Sequence, residues 1–207
     1  MKSIEKNILD NAYTYKTYRQ LIDELFANQK TTGTDHSELM LNYTKLNLSR
    51  MNRLDKKSRL TEKTIEQLKQ MERPVTWLVI TEGWCGDAAQ IVPVLNHMAL
   101  ENEQITLRFI LRDENLEVID AFLTNNARSI PKIIVVDTAT LEVLTSWGPR
   151  PDEVQKLVMD AKEASLATED LALREKISNT AAEQLHLWYA KDKTKSIQQE
   201  FLKSSIF

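Results

Sequence analysis

The amino-acid sequence predicts an α/β fold: a central mixed sheet flanked by helices, with helical extensions at both ends. Three observations lead there. Between residues 74 and 165, strand-like apolar runs and helix-like periodic stretches alternate in the order β-α-β-α-β-β-α. On either side, residues 1–73 and 166–207 carry apolar residues at helical spacing instead. Finally, 4 Gly and 5 Pro among 207 residues leave little material for turns, so helices should be long and loops few. Three regions follow: a helical N-terminal extension packed on the core (1–73), an α/β domain (74–165) and a C-terminal helical extension (166–207).

In the first region, Ile4, Ile8, Tyr15, Tyr18, Leu21, Ile22, Leu25 and Phe26 recur at helical spacing. A polar break spans residues 28–35. A second helix is expected from about Glu38 to Asp55, and a third after the N-cap candidate Thr61, ending before Arg73-Pro74. The middle region opens on a buried-strand run, residues 75–81, followed by a helical pattern from Cys85 to about Leu100. Residues 105–111 form a second strand. Asp113-Glu114-Asn115 then leads into a helix through Leu116, Ile119 and Phe122. Residues 132–137 and 142–147 read as a strand pair joined by the turn Thr138-Ala139-Thr140. The first β-α-β requires a parallel crossover, and the last two strands fit an antiparallel hairpin. A further helix starts at Pro151-Asp152, with Asp152 and Gln155 spaced as a capping box. In the last region, Ile177, Ala181, Leu185 and Trp188 share one helix face. A break at residues 192–195 precedes a short helix carrying Ile197, Phe201 and Leu202.

Composition narrows the function classes. Hydrophobic residues at 42% suffice for a packed core. A net charge of −3 gives no global attraction to nucleic acid or an anionic membrane. No apolar stretch approaches the ~18 residues of a membrane span. The first residues are polar and charged where a signal peptide would be apolar, so the cytoplasm is the expected location. His36, His97 and His186 lie far apart, with no Cys/His spacing that suggests a metal site. No Gly-rich phosphate loop appears.

The one cysteine stands in Trp84-Cys85-Gly86-Asp87-Ala88, after the first strand and at the start of a helix. Pro93 lies eight residues on, Arg128-Ser129-Ile130-Pro131 precedes a strand, and Gly148 follows the last one. Together these resemble the thioredoxin-like superfamily over about residues 74–165, and the whole chain resembles a bacterial branch of thioredoxin-family proteins. The resemblance implies that Cys85 is the reactive thiol. It also implies that Pro131 is a cis-proline shaping a substrate groove, with Trp84, Gly86, Asp87, Arg128 and Ile130 around it. The departures are equally specific. Ala88 replaces the resolving cysteine, Asp87 replaces the proline between the cysteines, and Val79 stands where the family carries a buried aspartate.

Two functions stay open on these residues. In one, Cys85 performs monothiol exchange, attacking a protein mixed disulfide with a small thiol such as glutathione, bacillithiol or coenzyme A. Its partners are then protein thiols or mixed disulfides, and it needs no bound cofactor, only an external low-molecular-weight thiol. In the other, the scaffold is a non-catalytic binding or regulatory module. The electrostatics do not separate them: a helix N-terminus favours the thiolate, while Asp87 opposes it. Glu82 and Asp87 are electrostatic neighbours of the thiol rather than bases for it.

Between residues 43 and 63, seven basic residues stand against two acidic ones. Arg50 and Arg53 are candidates for an anion site facing Cys85, with a solvated helix face as the alternative. Arg128 is a candidate partner for Asp87 or for a substrate. Trp188, Tyr189 and Leu185 are expected to pack the C-terminal helix on the core or on the N-terminal helices, with a dimer contact as the alternative.

Overall fold

The computed structural model describes residues 2–205. Four strands, β1 (Val75–Thr81), β2 (Ile105–Leu111), β3 (Lys132–Asp137) and β4 (Val143–Trp147), form one sheet in the order β2-β1-β3-β4. β1 pairs parallel with β2 and antiparallel with β3, and β3 and β4 form an antiparallel hairpin with a register shift at Val135/Val136. This is the mixed sheet the sequence predicts. β1 and β3 are buried along their whole length, as central strands covered on both faces must be.

Nine helices accompany the sheet among the described residues: α1 (Lys6–Asp10), α2 (Tyr15–Ala27), α3 (Glu38–Lys57), α4 (Glu62–Lys69), α5 (Ala88–Ala99), α6 (Leu116–Asp120), α7 (Asp152–Leu166), α8 (Leu171–Asp192) and α9 (Lys195–Ser205). None is long and apolar enough to cross a membrane. Thr61 caps α4 as expected, accepting from the Thr64 N–H at 3.1 Å. The half-buried residues of α8 include Ile177, Ala181, Leu185 and Trp188.

Several expectations are corrected. The first helical stretch is two helices, because Thr14 and Thr17 form a capping box that starts α2 afresh. Tyr13, in the gap, exchanges backbone hydrogen bonds with Phe109 on the outer edge of β2. At the other edge, the Ile4 N–H donates to the Leu141 carbonyl and the Val143 N–H to the Lys2 carbonyl. The N-terminal segment thus covers part of both sheet edges. No capping box forms at α7: Pro151 is the N-cap, Asp152 is the first helical residue, and the Gln155 side chain accepts from Arg150 instead. α6 ends at Asp120, short of Phe122.

The core lies on both faces of the sheet. On one side Tyr18 of α2 stacks on Phe109, with ring centroids 5.1 Å apart. Phe201 of α9 meets Trp77 edge-on at 4.7 Å. Pro93 sits inside α5, whose residues Ala88 to Leu95 are all buried. That helix is central rather than amphipathic, since α3 and α9 pack against it as well as the sheet.

Candidate functional site

β1 delivers the chain to Trp84-Cys85-Gly86-Asp87 at the start of α5, so Cys85 sits at the N-terminal end of a helix packed over the sheet. The loop is tied from both sides. The Gly83 N–H donates to the Thr32 hydroxyl at 2.8 Å, and Asn47 of α3 donates to the Gly83 carbonyl at 3.0 Å. Trp84 carries the Arg112 guanidinium over its ring at 4.8 Å. Both ties come from outside the α/β core.

Cys85 is only 8% exposed. Its thiol donates to the Ile130 carbonyl at 3.3 Å, and the Ala88 N–H points at Sγ from 3.5 Å. The Ile130–Pro131 peptide is cis, as is Gly148–Pro149. Gly148 has φ +111°, and a Cβ there would lie 2.4 Å from the Pro131 carbonyl oxygen, so only glycine lets the end of β4 approach this loop. Burial pushes the Cys85 thiol up to about 12, and Asp87 adds to the rise. The Ala88 and Asp87 N–H groups and Arg150 pull the other way without overcoming it.

Asp87 is more than the electrostatic neighbour expected from the sequence: it is 6% exposed and fully engaged. Arg150 reaches its Oδ2 with Nε at 2.9 Å and a terminal nitrogen at 2.5 Å. The Tyr189 hydroxyl donates to its Oδ1 at 2.8 Å. Burial and the adjacent carboxylate raise the Tyr189 pKa well above its ordinary value, so this hydroxyl remains a donor at neutral pH. The carboxylate is therefore held by a cation following β4 and a phenol from α8. Arg50 of α3 adds a second tie to that helix, with a terminal nitrogen 2.7 Å from the His186 Nε2. Helix α8 is thus fastened across the start of α5.

The other candidates divide. Arg50 does lie at the site, its guanidinium 3.4 Å from where a Gly86 Cβ would stand. Arg53 does not join it; it lines a separate cavity with Lys57, Arg59 and residues of α8 and α9. Arg128 is turned away, paired with Asp120 through two hydrogen bonds of 2.6 and 2.7 Å on the surface. Arg150, not Arg128, is the cation at Asp87. Sequence reasoning missed Arg150 and the hydroxyl role of Tyr189. Arg150 follows Gly148 by two residues, a place with no chemical pattern of its own. For Tyr189 the usable signal was general: a buried tyrosine needs a partner for its hydroxyl.

Glu82 is fully buried, accepts from the Asp113 N–H at 3.0 Å through Oε1, and leaves Oε2 without a hydrogen-bond partner among the described residues. Burial raises its pKa above the ordinary carboxyl value, against Thr32 and the Asp113 N–H. A carboxyl whose pKa is raised on folding stabilises the native state below the unfolded pKa, and that contribution is lost as pH rises through the folded value. Glu82→Gln keeps an acceptor and removes the ionisation. It is expected to match the parent protein in urea unfolding near pH 4 and to be the more stable of the two at about pH 7. A variant less stable at both pH values would show that the carboxylate itself is needed.

Among the described residues no group of three or more His, Cys, Asp or Glu side chains could hold a metal ion. Compared with known proteins, residues 33–164 match a family model described as thioredoxin. No curated protein matches the chain. Among solved structures, the chain is similar to a protein of unknown function from Pseudomonas aeruginosa, at 18% identity and a TM-score of 0.54, over 92% of this chain and 99% of that one. It is also similar to an HIV epitope-scaffold, at 17% identity and a TM-score of 0.52, over 72% and 79% of the two chains. At these identities the structural likeness speaks to the fold alone.

Proposed function

The chain belongs to the thioredoxin family, and on that premise we propose that it acts as a non-catalytic thioredoxin-fold module, binding or regulatory, in which Cys85 is a protected thiol. The observation that carries this reading is the state of Cys85: its sulfur is buried, it donates to the Ile130 carbonyl, and its pKa is pushed up to about 12. Disulfide exchange needs a thiolate with access to a substrate sulfur. Here the nearest carboxylate raises the thiol pKa, and the Ile130 carbonyl that would face an extended substrate accepts from the thiol itself. Tyr189 of α8 and Arg150 fix that carboxylate beside the thiol, so monothiol exchange would require Cys85 to become exposed and ionise against it.

The test is incubation of the native protein with mixed disulfides of glutathione, bacillithiol and coenzyme A, followed by intact mass. The expected result is no adduct on the native protein under conditions that label the urea-unfolded chain completely. A Cys85 adduct that forms on the native protein and is released by a second small thiol at catalytic rates would overturn the reading and restore monothiol exchange.

A further inference from the structure

A cavity of about 430 Å³ opens where α3 ends and α8 turns into α9, with Gln90 of α5 in its lining. Five of its lining residues are cations: Arg53, Lys57, Arg59, Lys193 and Lys195. No Asp or Glu lines it, and none of the five makes an ion pair among the described residues. The nearby carboxylates are used elsewhere: Asp55 is taken by Arg19 and Tyr15, and Asp192 accepts from Ser196. All five are exposed, and together they put charge of one sign around one concavity, which favours an anion there.

A second observation points to a ligand. Gln90 is 6% exposed, yet its side-chain amide makes no hydrogen bond with any described residue. Its amide atoms open into the cavity rather than being sealed in the core, so they are free to bond a ligand there. The rest of the wall is mixed: Leu54, Leu60, Ala190 and Tyr189 supply apolar surface, and Ser58, Thr61 and Thr194 add small polar residues. Cations, one free amide and a partly apolar wall suit a ligand with a charged head and a flat or aliphatic body. The volume falls in the range of small-molecule pockets.

We propose that this cavity is a binding site for a small organic phosphate, with the phosphoryl group held by the basic residues and the body lying against Leu54, Leu60 and Tyr189. Cys85 does not line this cavity, although Tyr189, whose hydroxyl holds Asp87, does; the proposal does not depend on whether the thiol exchanges disulfides. It also redraws the basic segment of α3: Arg53 and Lys57 serve this cavity, while Arg50 serves the Asp87 site.

The test is calorimetric titration of the full chain with phenyl phosphate, with inorganic phosphate and phenol as the two halves of the probe. Phenyl phosphate is expected to bind about tenfold or more tighter than either half. Raising salt from about 50 to about 300 mM should weaken it severalfold. Lys57→Glu with Lys193→Glu, both exposed positions that should tolerate the change, is expected to lower affinity about tenfold or more. Gln90→Leu should weaken binding without lowering the melting temperature, which separates a ligand contact from a structural one. Lys156→Glu, in the groove between α7 and α8, should change nothing. Equal affinity for phenyl phosphate and phenol, or unchanged affinity after the double charge reversal, would overturn the proposal.

Discussion

Arg150→Ala is expected to destabilise the protein by about 3–5 kcal/mol, because it leaves the Asp87 carboxylate buried without its cation. The side chains of the pair are only 16% and 8% exposed, so solvent screening relieves little of that cost. In a chain of this size the loss corresponds to a fall in melting temperature of roughly 10 °C. The comparison that identifies the cause is the double variant Asp87→Leu with Arg150→Met. Replacing both partners by apolar groups of similar size removes the stranded charge and should recover most of the stability. Arg128→Ala removes a guanidinium that is equally well bonded but on the surface, and should have little effect. If Arg150→Ala were as mild as Arg128→Ala, the hold of α8 on the start of α5 would not rest on this cluster.

The second large effect is the slowness of Cys85. Against free cysteine at about 8.5, a pKa near 12 lowers the thiolate fraction at neutral pH on the order of 10³-fold. The more basic thiolate is intrinsically more nucleophilic, which returns part of this and leaves a net deficit of about 10²-fold. Alkylation by iodoacetamide at neutral pH is therefore expected to be about 10²-fold slower than for free cysteine. The rate should rise tenfold per pH unit with no plateau up to about pH 10. Asp87→Asn removes the anion that adds to the shift and should bring the plateau to lower pH.

The same shift makes alkali destabilising. The unfolded thiol ionises near 8.5 while the native thiol stays protonated to about 12. Between those values this one group removes about 1.4 kcal/mol of stability per pH unit. A plateau below about pH 9 in the native protein would show that the thiol is activated and would support exchange chemistry.

Most of the fold was legible in the sequence. The runs at 75–81, 105–111 and 132–137 became β1, β2 and β3 with the bounds their apolar character suggested. The misses were local and have local causes. The Thr14/Thr17 box divided one periodic stretch into two helices, and Pro151 took the N-cap place that Asp152 was expected to hold. The site was only half legible. Trp84, Cys85, Gly86, Ile130 and Pro131 come together as the motif implies, and Arg50 joins them. Arg128 and Arg53 do not, and Arg150 and Tyr189 arrive unannounced.

What the sequence by itself determined about this protein is the order of its strands and helices, its thioredoxin-like sheet and the position of its one cysteine at the start of α5. These follow from periodicity, caps and a short motif, all written within a few residues of one another. Only the tertiary structure decided the condition of that cysteine. Asp87 meets Arg150 from 63 residues away and Tyr189 from 102 residues away. Ile130, whose carbonyl accepts the thiol hydrogen bond, is 45 residues from it. Contacts across such separations leave no period or spacing in the chain, yet burial and one neighbouring carboxylate turn the exposed nucleophile of the motif into a buried, protonated thiol.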